Sequence, residues 1–150
     1  ASDVYKRQQL YMDEVQTEIL LDEAKYDYVI DAIDTISPKI ALLTGCLKRK
    51  IKVISSMGAG GRIDPTRIAY ADISETYHCA LAKAVRKRLK DAGISKGIKV
   101  VFSSEQPDRN AIIRTDEERN KKSTVGTISY LPAIFGCYLA AYVIRKLSQK

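Results

Sequence analysis

Tryptophan is absent from this 150-residue chain, phenylalanine occurs twice and histidine once. The three cysteines, Cys46, Cys79 and Cys137, stand far apart and form no C-x-x-C pair. With His78 as the sole imidazole, they lack the ligand spacing of a structural zinc site. An odd number of thiols without a secretory signal fits a reducing cytoplasm. Long apolar runs are scarce. Ile128 to Ile144 holds seventeen residues, short of the roughly 20 that a bilayer span needs. It reads as a central buried helix, apolar all round. Membrane association through it stays as an alternative. No repeat or low-complexity stretch is present, which excludes collagen, coiled coil and a disordered tail.

What is there suits one soluble domain: 45% hydrophobic and 29% charged residues. Lysine and arginine outnumber the acids 25 to 18, for a net charge of +7. Such an excess favours a polyanionic partner, nucleic acid or anionic membrane, without specifying a fold.

Along the chain, residues 1–8 carry no apolar periodicity and are set aside as a head outside the domain, which runs from 9 to 150. Leu10 to Ala24 predicts a helix through Val15, Ile19 and Leu20. Tyr28 to Ile33 is a β-branched and aromatic run, a buried strand ending at Asp34. Ser37 as N-cap and Pro38 as N1 open a helix through Ile40, Leu43 and Leu47. Lys48, Arg49 and Lys50 crowd its last turn. Ile51 to Ser56 is a second strand, and strand, helix, strand in this order make a parallel βαβ unit. Gly58 to Gly61 follows as a flexible connection. Arg67 to Ile73 predicts a third strand. Leu81, Val85 and Leu89 define the buried face of a helix, with Lys83, Arg86, Lys87 and Lys90 opposite and Gly93 closing it. Ile98 to Phe102 is a fourth strand. Gln106 to Lys122 reads as a long, mobile crossing loop, and Gly126 to Lys146 as a helix after Pro132. The fold class is α/β, with a mainly parallel sheet and flanking helices.

Asp31-Ala32-Ile33-Asp34 is the most informative chemical element. Open α/β sheets bind ligands at the carboxyl ends of their strands, where Asp34 can help hold magnesium on ATP phosphates. The alternative is a turn or capping aspartate. Gly58-Ala59-Gly60-Gly61 invites a phosphate-loop reading, but Pro65 and a further strand follow where a helix N-terminus would be needed. A sharp reversal using positive φ accounts for it better. The basic helix face could track a phosphate backbone or simply be solvated. His78 and Cys79 are neighbours, yet adjacent residues seldom aim at one point and no acid orients them.

The residues Tyr26-Asp27-Tyr28-Val29-Ile30-Asp31-Ala32-Ile33-Asp34-Thr35, followed by Ser37-Pro38-Lys39, resemble the ThiF, MoeB and HesA type of adenylating enzyme. The fold expected from that resemblance is part of a Rossmann-like, ubiquitin-activating-enzyme-type domain. Later segments narrow it: Gly58-Ala59-Gly60-Gly61-Arg62-Ile63-Asp64-Pro65-Thr66, Val85-Arg86-Lys87-Arg88-Leu89, Val100-Val101-Phe102-Ser103-Ser104-Glu105, and Gly126 to Gly136. Together, from Asp22 onward, they are similar to the tRNA threonylcarbamoyladenosine dehydratase branch. The C-x-x-C zinc pairs of many relatives are missing, which favours that branch. Cys79-Ala80 departs from the Asp-Pro often found there.

The resemblance implies an enzyme using ATP and magnesium, with tRNA as partner. A carboxylate on the modified adenosine at position 37 would be adenylated, releasing pyrophosphate. A nitrogen of the modification would then close a ring and expel AMP, a step that positioning alone largely promotes. Matched residue by residue, Asp34 falls on the catalytic, magnesium- and phosphate-binding aspartate. Asp31 is the other acid of the cofactor-binding element, with a structural role the favoured one, and Lys39 falls on a basic position that would meet phosphate. A homodimer and a sulfur-relay partner are also implied. The family's upstream G-x-G-G-x-G-S cradle, with its ATP-gripping arginine and lysine, has no counterpart here. The chain by itself is therefore expected to bind ATP weakly and to be inactive. Adenylation of a ubiquitin-like sulfur carrier, or a non-catalytic binding module, are the rival functions.

Overall fold

The computed structural model describes residues 7–108, 112–113 and 124–149. A four-stranded sheet lies between helices on both faces. Its strands are β1 (Val29–Asp31), β2 (Val53–Ser56), β3 (Ile68–Asp72) and β4 (Lys99–Ser103), in the order β1-β2-β4-β3. The first three positions are parallel, pairing Val29 with Val53 and Ile54 with Lys99. β3 runs antiparallel on the far edge, Ile68 opposite Ser103 and Asp72 opposite Lys99. β1 is the other edge strand, and no further strand pairs with it among the described residues.

Period-2 alternation sends each strand's side chains to two cores. Val53, Val100 and Phe102 meet α2 (Ile36–Lys48) and α3 (Ala80–Asp91) through Leu42, Leu43, Cys46, Ala82, Val85 and Leu89. Ile54, Ile68 and Val101 point the other way, onto Leu131, Phe135, Leu139 and Val143 of α4 (Tyr130–Ser148). Each fully buried aliphatic side chain contributes about 1.5–3 kcal/mol.

α1 (Glu14–Glu23) begins four residues later than its apolar pattern suggests, because the Asp13 side chain accepts from the Gln16 N–H and caps it there. Val15 and Ile19, expected on its buried face, are 69% and 51% exposed; Thr17 and Leu21 are buried instead. The packing against α2 explains this. A Cβ at Gly45 would stand 2.6 Å from a Leu21 methyl, so the glycine lets the helices close on that face. Arg49 then bridges Glu18 at 2.7 Å and Asp22 at 2.8 Å.

Thr35, not Ser37, is the N-cap residue of α2, and Pro38 stands third in the helix. Pro is tolerated there because first-turn N–H groups have no intrahelical partner. Gly93 does close α3: its φ is +80°, its N–H reaches the Lys90 carbonyl at 2.9 Å, and the Ile94 N–H reaches Leu89 at 2.8 Å.

Two expectations change. α4 is not a central helix buried all round, since one stripe faces the sheet while Ile144 (65%) and Leu147 stay exposed. No helix among the described residues is long and apolar enough to cross a membrane. Of the crossing loop, β5 (Ile112–Ile113) pairs antiparallel with β6 (Thr124–Val125). Residues 109–111 and 114–123 lie outside the described residues, and so do most of the head and Lys150.

Candidate active site

The parallel strands β1, β2 and β4 all end at one edge of the sheet, and the chemistry-bearing residues gather there. Asp31, the last residue of β1, is fully buried. Its Oδ2 lies 2.7 Å from the Lys39 ammonium and accepts from the Ser55 hydroxyl at 2.6 Å. Its Oδ1 accepts from the Ile33 N–H at 3.0 Å. Lys39, equally buried, also donates to the Ile33 carbonyl at 2.7 Å. One carboxylate thus ties the β1–α2 connection to β2 through Ser55 and to α2 through Lys39.

Burial lowers the Lys39 pKa from its ordinary 10.5, and the attraction of Asp31 opposes the shift without cancelling it. Desolvation therefore outweighs Coulomb attraction. The pair is better understood as a positioning device than as a source of stability.

Asp34 sits three residues on, in the same connection, and is exposed. Its charge is felt by Lys39. Of the three residues singled out for the nucleotide, only Asp34 is presented outward at this edge. The direct phosphate contact expected of Lys39 does not fit the described geometry, because its ammonium is committed to Asp31 and Ile33. Asp31 likewise turns inward. Among the described residues no group of three or more His, Cys, Asp or Glu could cage a metal. A single exposed carboxylate fits magnesium that arrives on nucleotide phosphates, since this ion is commonly held by one or two carboxylates plus phosphate oxygens.

The glycine segment after β2 is a locked wall and not a flexible connection. Arg62, 4% exposed, donates to the carbonyls of Gly58 (3.1 Å), Gly60 (2.9 Å), Glu105 (3.2 Å) and His78. The Glu105 carboxylate accepts from the N–H groups of Ile63 and Asp64, at 2.8 Å for the latter. Gly61, at φ +72°, donates to the Gly126 carbonyl and accepts from the Asp108 N–H, both at 2.8 Å. Positive φ is the reason for glycine there, and the phosphate-loop reading falls with the strand that follows. This wall stands beside the buried pair: Cys79 interacts electrostatically with Lys39, and a Cβ at Gly58 would be 3.6 Å from the Cys79 sulfur.

His78 and Cys79 diverge. The His78 ring meets the Ser104 carbonyl at 3.0 Å, whereas the buried Cys79 sulfur caps α3 by accepting from the Ala82 N–H at 3.4 Å. No nucleophile–base pair forms. The roles of Ser55, Arg62 and Glu105 escaped the sequence reading. Arg62 and Glu105 stood there only within motifs that carry the resemblance, and Ser55 as a hydroxyl in a buried run, in register with Asp31.

Comparison with known proteins identifies the family. A curated tRNA threonylcarbamoyladenosine dehydratase of Bacillus subtilis is 43% identical over 128 residues, covering 81% of this chain and 50% of that protein. The enzyme of that name from Escherichia coli is 35% identical over 142 residues, covering 83% and 53%. The chain thus spans about half the length of these relatives. A solved structure of the Escherichia coli enzyme with ATP superposes with a TM-score of 0.77 at 31% identity, over 91% of this chain and 53% of that one. The AMP complex of the same enzyme gives 0.76 at 32%, over 91% and 54%. The model of the ThiF family matches residues 3–150. By that match and these likenesses, the chain belongs to the ThiF family.

Proposed function

We propose that this chain supplies part of the active site of an ATP-dependent enzyme that dehydrates threonylcarbamoyladenosine at position 37 of tRNA by cyclisation, with Asp34 as its catalytic carboxylate. The observation that carries the reading is the buried Asp31–Lys39 pair, which anchors a short connection so that Asp34 stands outward at the carboxyl edge. A carboxylate at this place belongs beside the phosphates of a bound nucleotide. The likeness to enzymes solved with ATP and AMP supports it.

In this reading ATP is a substrate. A carboxylate oxygen of the modification attacks the α-phosphorus, and pyrophosphate leaves with the bonding pair. A nitrogen of the modification then attacks the activated acyl carbon, the ring closes, and AMP departs. Magnesium, carried on the phosphates, would supply neutralisation of developing negative charge, and Asp34 is the residue that would hold it. Asp31 and Lys39 act through the backbone they hold, as positioning residues. The remaining nucleotide contacts come from other parts of a longer parent, for which the open edge of β1 offers a place to pair.

A cytoplasmic homodimer belongs to the same reading. Residues 129–144 carry no charge, and the outward face of α4, with Ala133, Cys137, Ala140 and Ile144, offers an apolar, self-complementary surface for a second copy. The sulfur-relay partner is carried over on the resemblance alone.

The test is AMP release by the parent enzyme with Asp34→Asn, using modified tRNA, ATP and magnesium. A fall of about 100-fold or more is expected, the scale of losing one electrostatic group from such a centre. An unchanged rate sinks the proposal. A run with a sulfur-carrier protein in place of tRNA separates the two adenylation targets.

A further inference from the structure

We infer that the outward face of α3, together with the amino end of the sheet beside it, is a docking surface for the phosphate backbone of RNA. The charge of the chain is segregated along its sequence and therefore in space. Residues 13–34 hold eight acids and one cation, Lys25, whereas residues 76–99 hold seven cations and one acid, Asp91. The first stretch forms α1 and β1 on one flank, and the second forms α3 and the start of β4 on the other.

Lys83, Lys87 and Lys90 are all exposed and lie on the side of α3 opposite the buried Ala82, Val85 and Leu89. Their spacing of four and three residues makes a row about 10 Å long. α2 and α3 pack on each other and both run toward the amino ends of the parallel strands. Lys48, Lys50 and Lys52 are exposed at that end and extend the positive surface. Among the described residues none of these six lysines enters an ion pair. The contrast is with Arg49, spent on Glu18 and Asp22, and with Arg86, which leaves the helix face to bind the Thr76 carbonyl at 2.8 Å.

A membrane surface is the obvious competitor for such a patch. Surface-binding helices interleave cations with large apolar side chains that enter the lipid. Tyr77, ahead of α3, is the one large exposed hydrophobic residue between 76 and 99, and none occurs from 48 to 52. The surface is charged without being amphipathic, which suits a solvated polyanion. The α3 row is carried on the helix that precedes β4, away from the open edge of β1, so chain added at that edge leaves it uncovered, whereas Lys52 adjoins β1, its carbonyl accepting from the Val29 N–H at 2.8 Å.

α3 starts at Cys79, beside the buried pair, so its row runs from Lys83 near the carboxyl end to Lys90 near the amino end, which is roughly 16 Å off along a five-residue strand. A folded RNA body held along this row can bring one nucleotide to the carboxyl end, where Asp34 stands. The identity of that body as tRNA rests on the dehydratase reading, while the preference for a phosphate backbone does not.

The test is fluorescence anisotropy of the protein with a labelled tRNA transcript lacking the modification, between 50 and 200 mM salt. The variant is Lys83→Ala/Lys87→Ala/Lys90→Ala, three exposed helical positions where alanine preserves the helix. Each lost phosphate contact lowers the salt slope by about 0.7–0.9. The wild type should therefore lose about 20- to 40-fold more affinity than the variant over that range. A second variant, Lys48→Ala/Lys52→Ala, should lower the slope by roughly 1.4–1.8. Unchanged affinity and slope in both overturn the inference, as does binding to vesicles containing phosphatidylserine without binding to tRNA. Asp34→Asn is the parallel control. Lost RNA affinity in the lysine variants beside undiminished activity in Asp34→Asn would remove the dehydratase reading and leave the surface standing.

Discussion

Replacing Lys39 by methionine keeps the length of the side chain and removes its charge. Asp31 then remains fully buried, with Ser55 and the Ile33 N–H as its remaining polar partners among the described residues. Breaking a buried pair from one side costs about 3–5 kcal/mol, and the Ile33 carbonyl loses its donor as well. Against a total stability of about 5–15 kcal/mol, that is a large fraction. The double variant Asp31→Leu/Lys39→Met should recover most of the loss, because burial already lowers the Lys39 pKa and the pair is costly to desolvate. A deficit of about 1–3 kcal/mol should remain for the orphaned Ser55 hydroxyl and Ile33 groups.

With no tryptophan in the chain, far-UV circular dichroism in urea is the suitable assay. The pH dependence carries a sign of its own. A lysine with a folded pKa below 10.5 binds fewer protons folded than unfolded in the interval between the two values. Wild-type stability, measured relative to Lys39→Met, should therefore rise as pH climbs from the lowered value toward 10.5. The positioning role would be refuted if Lys39→Met cost under about 1 kcal/mol, or if the double variant were no more stable than the single one.

Gly61→Ala places a Cβ at φ +72° and 3.1 Å from Pro107. It should cost at least the 1–2 kcal/mol or so of a left-handed alanine, read as a lower melting temperature. Gly93→Ala, at φ +80° with open space around it, isolates the backbone contribution and should cost less. In the native monomer at pH 8, Cys137 should react alone with a thiol reagent, and dimerisation through the outward face of α4 should slow it. Cys79 is buried, and burial pushes the Cys46 thiol up to about 11. All three should react in denaturant, and rapid labelling of two in the native state would contradict the packing of α2 and α3.

Much of the fold was legible because it follows from local chemistry. Short β-branched runs made strands, Leu81, Val85 and Leu89 made a helix face, and Gly93 ended that helix through a conformation only glycine adopts cheaply. The reading failed where a distant neighbour decides. Val15 and Ile19 have helical spacing, yet Gly45, more than twenty residues on, selects Leu21 and Thr17 for burial. α4 is apolar around much of its surface, but a single sheet face can cover only one stripe of it.

The same division runs through the candidate site. The amino-acid order by itself determined that a D-x-x-D element ends a strand and leads into a helix, and that the chain's positive charge gathers near α3. The tertiary structure supplied what holds the inward acid. Asp31 finds Ser55 on β2 and Lys39 on α2, and a buried carboxylate must have such partners. Asp34 lies beyond that anchor and is left at the surface. Arg62 likewise becomes a clamp only when residues up to 43 positions away bring their carbonyl oxygens to it. A guanidinium has five donors whatever its neighbours, and what it holds together is settled by where the folded backbone puts its acceptors.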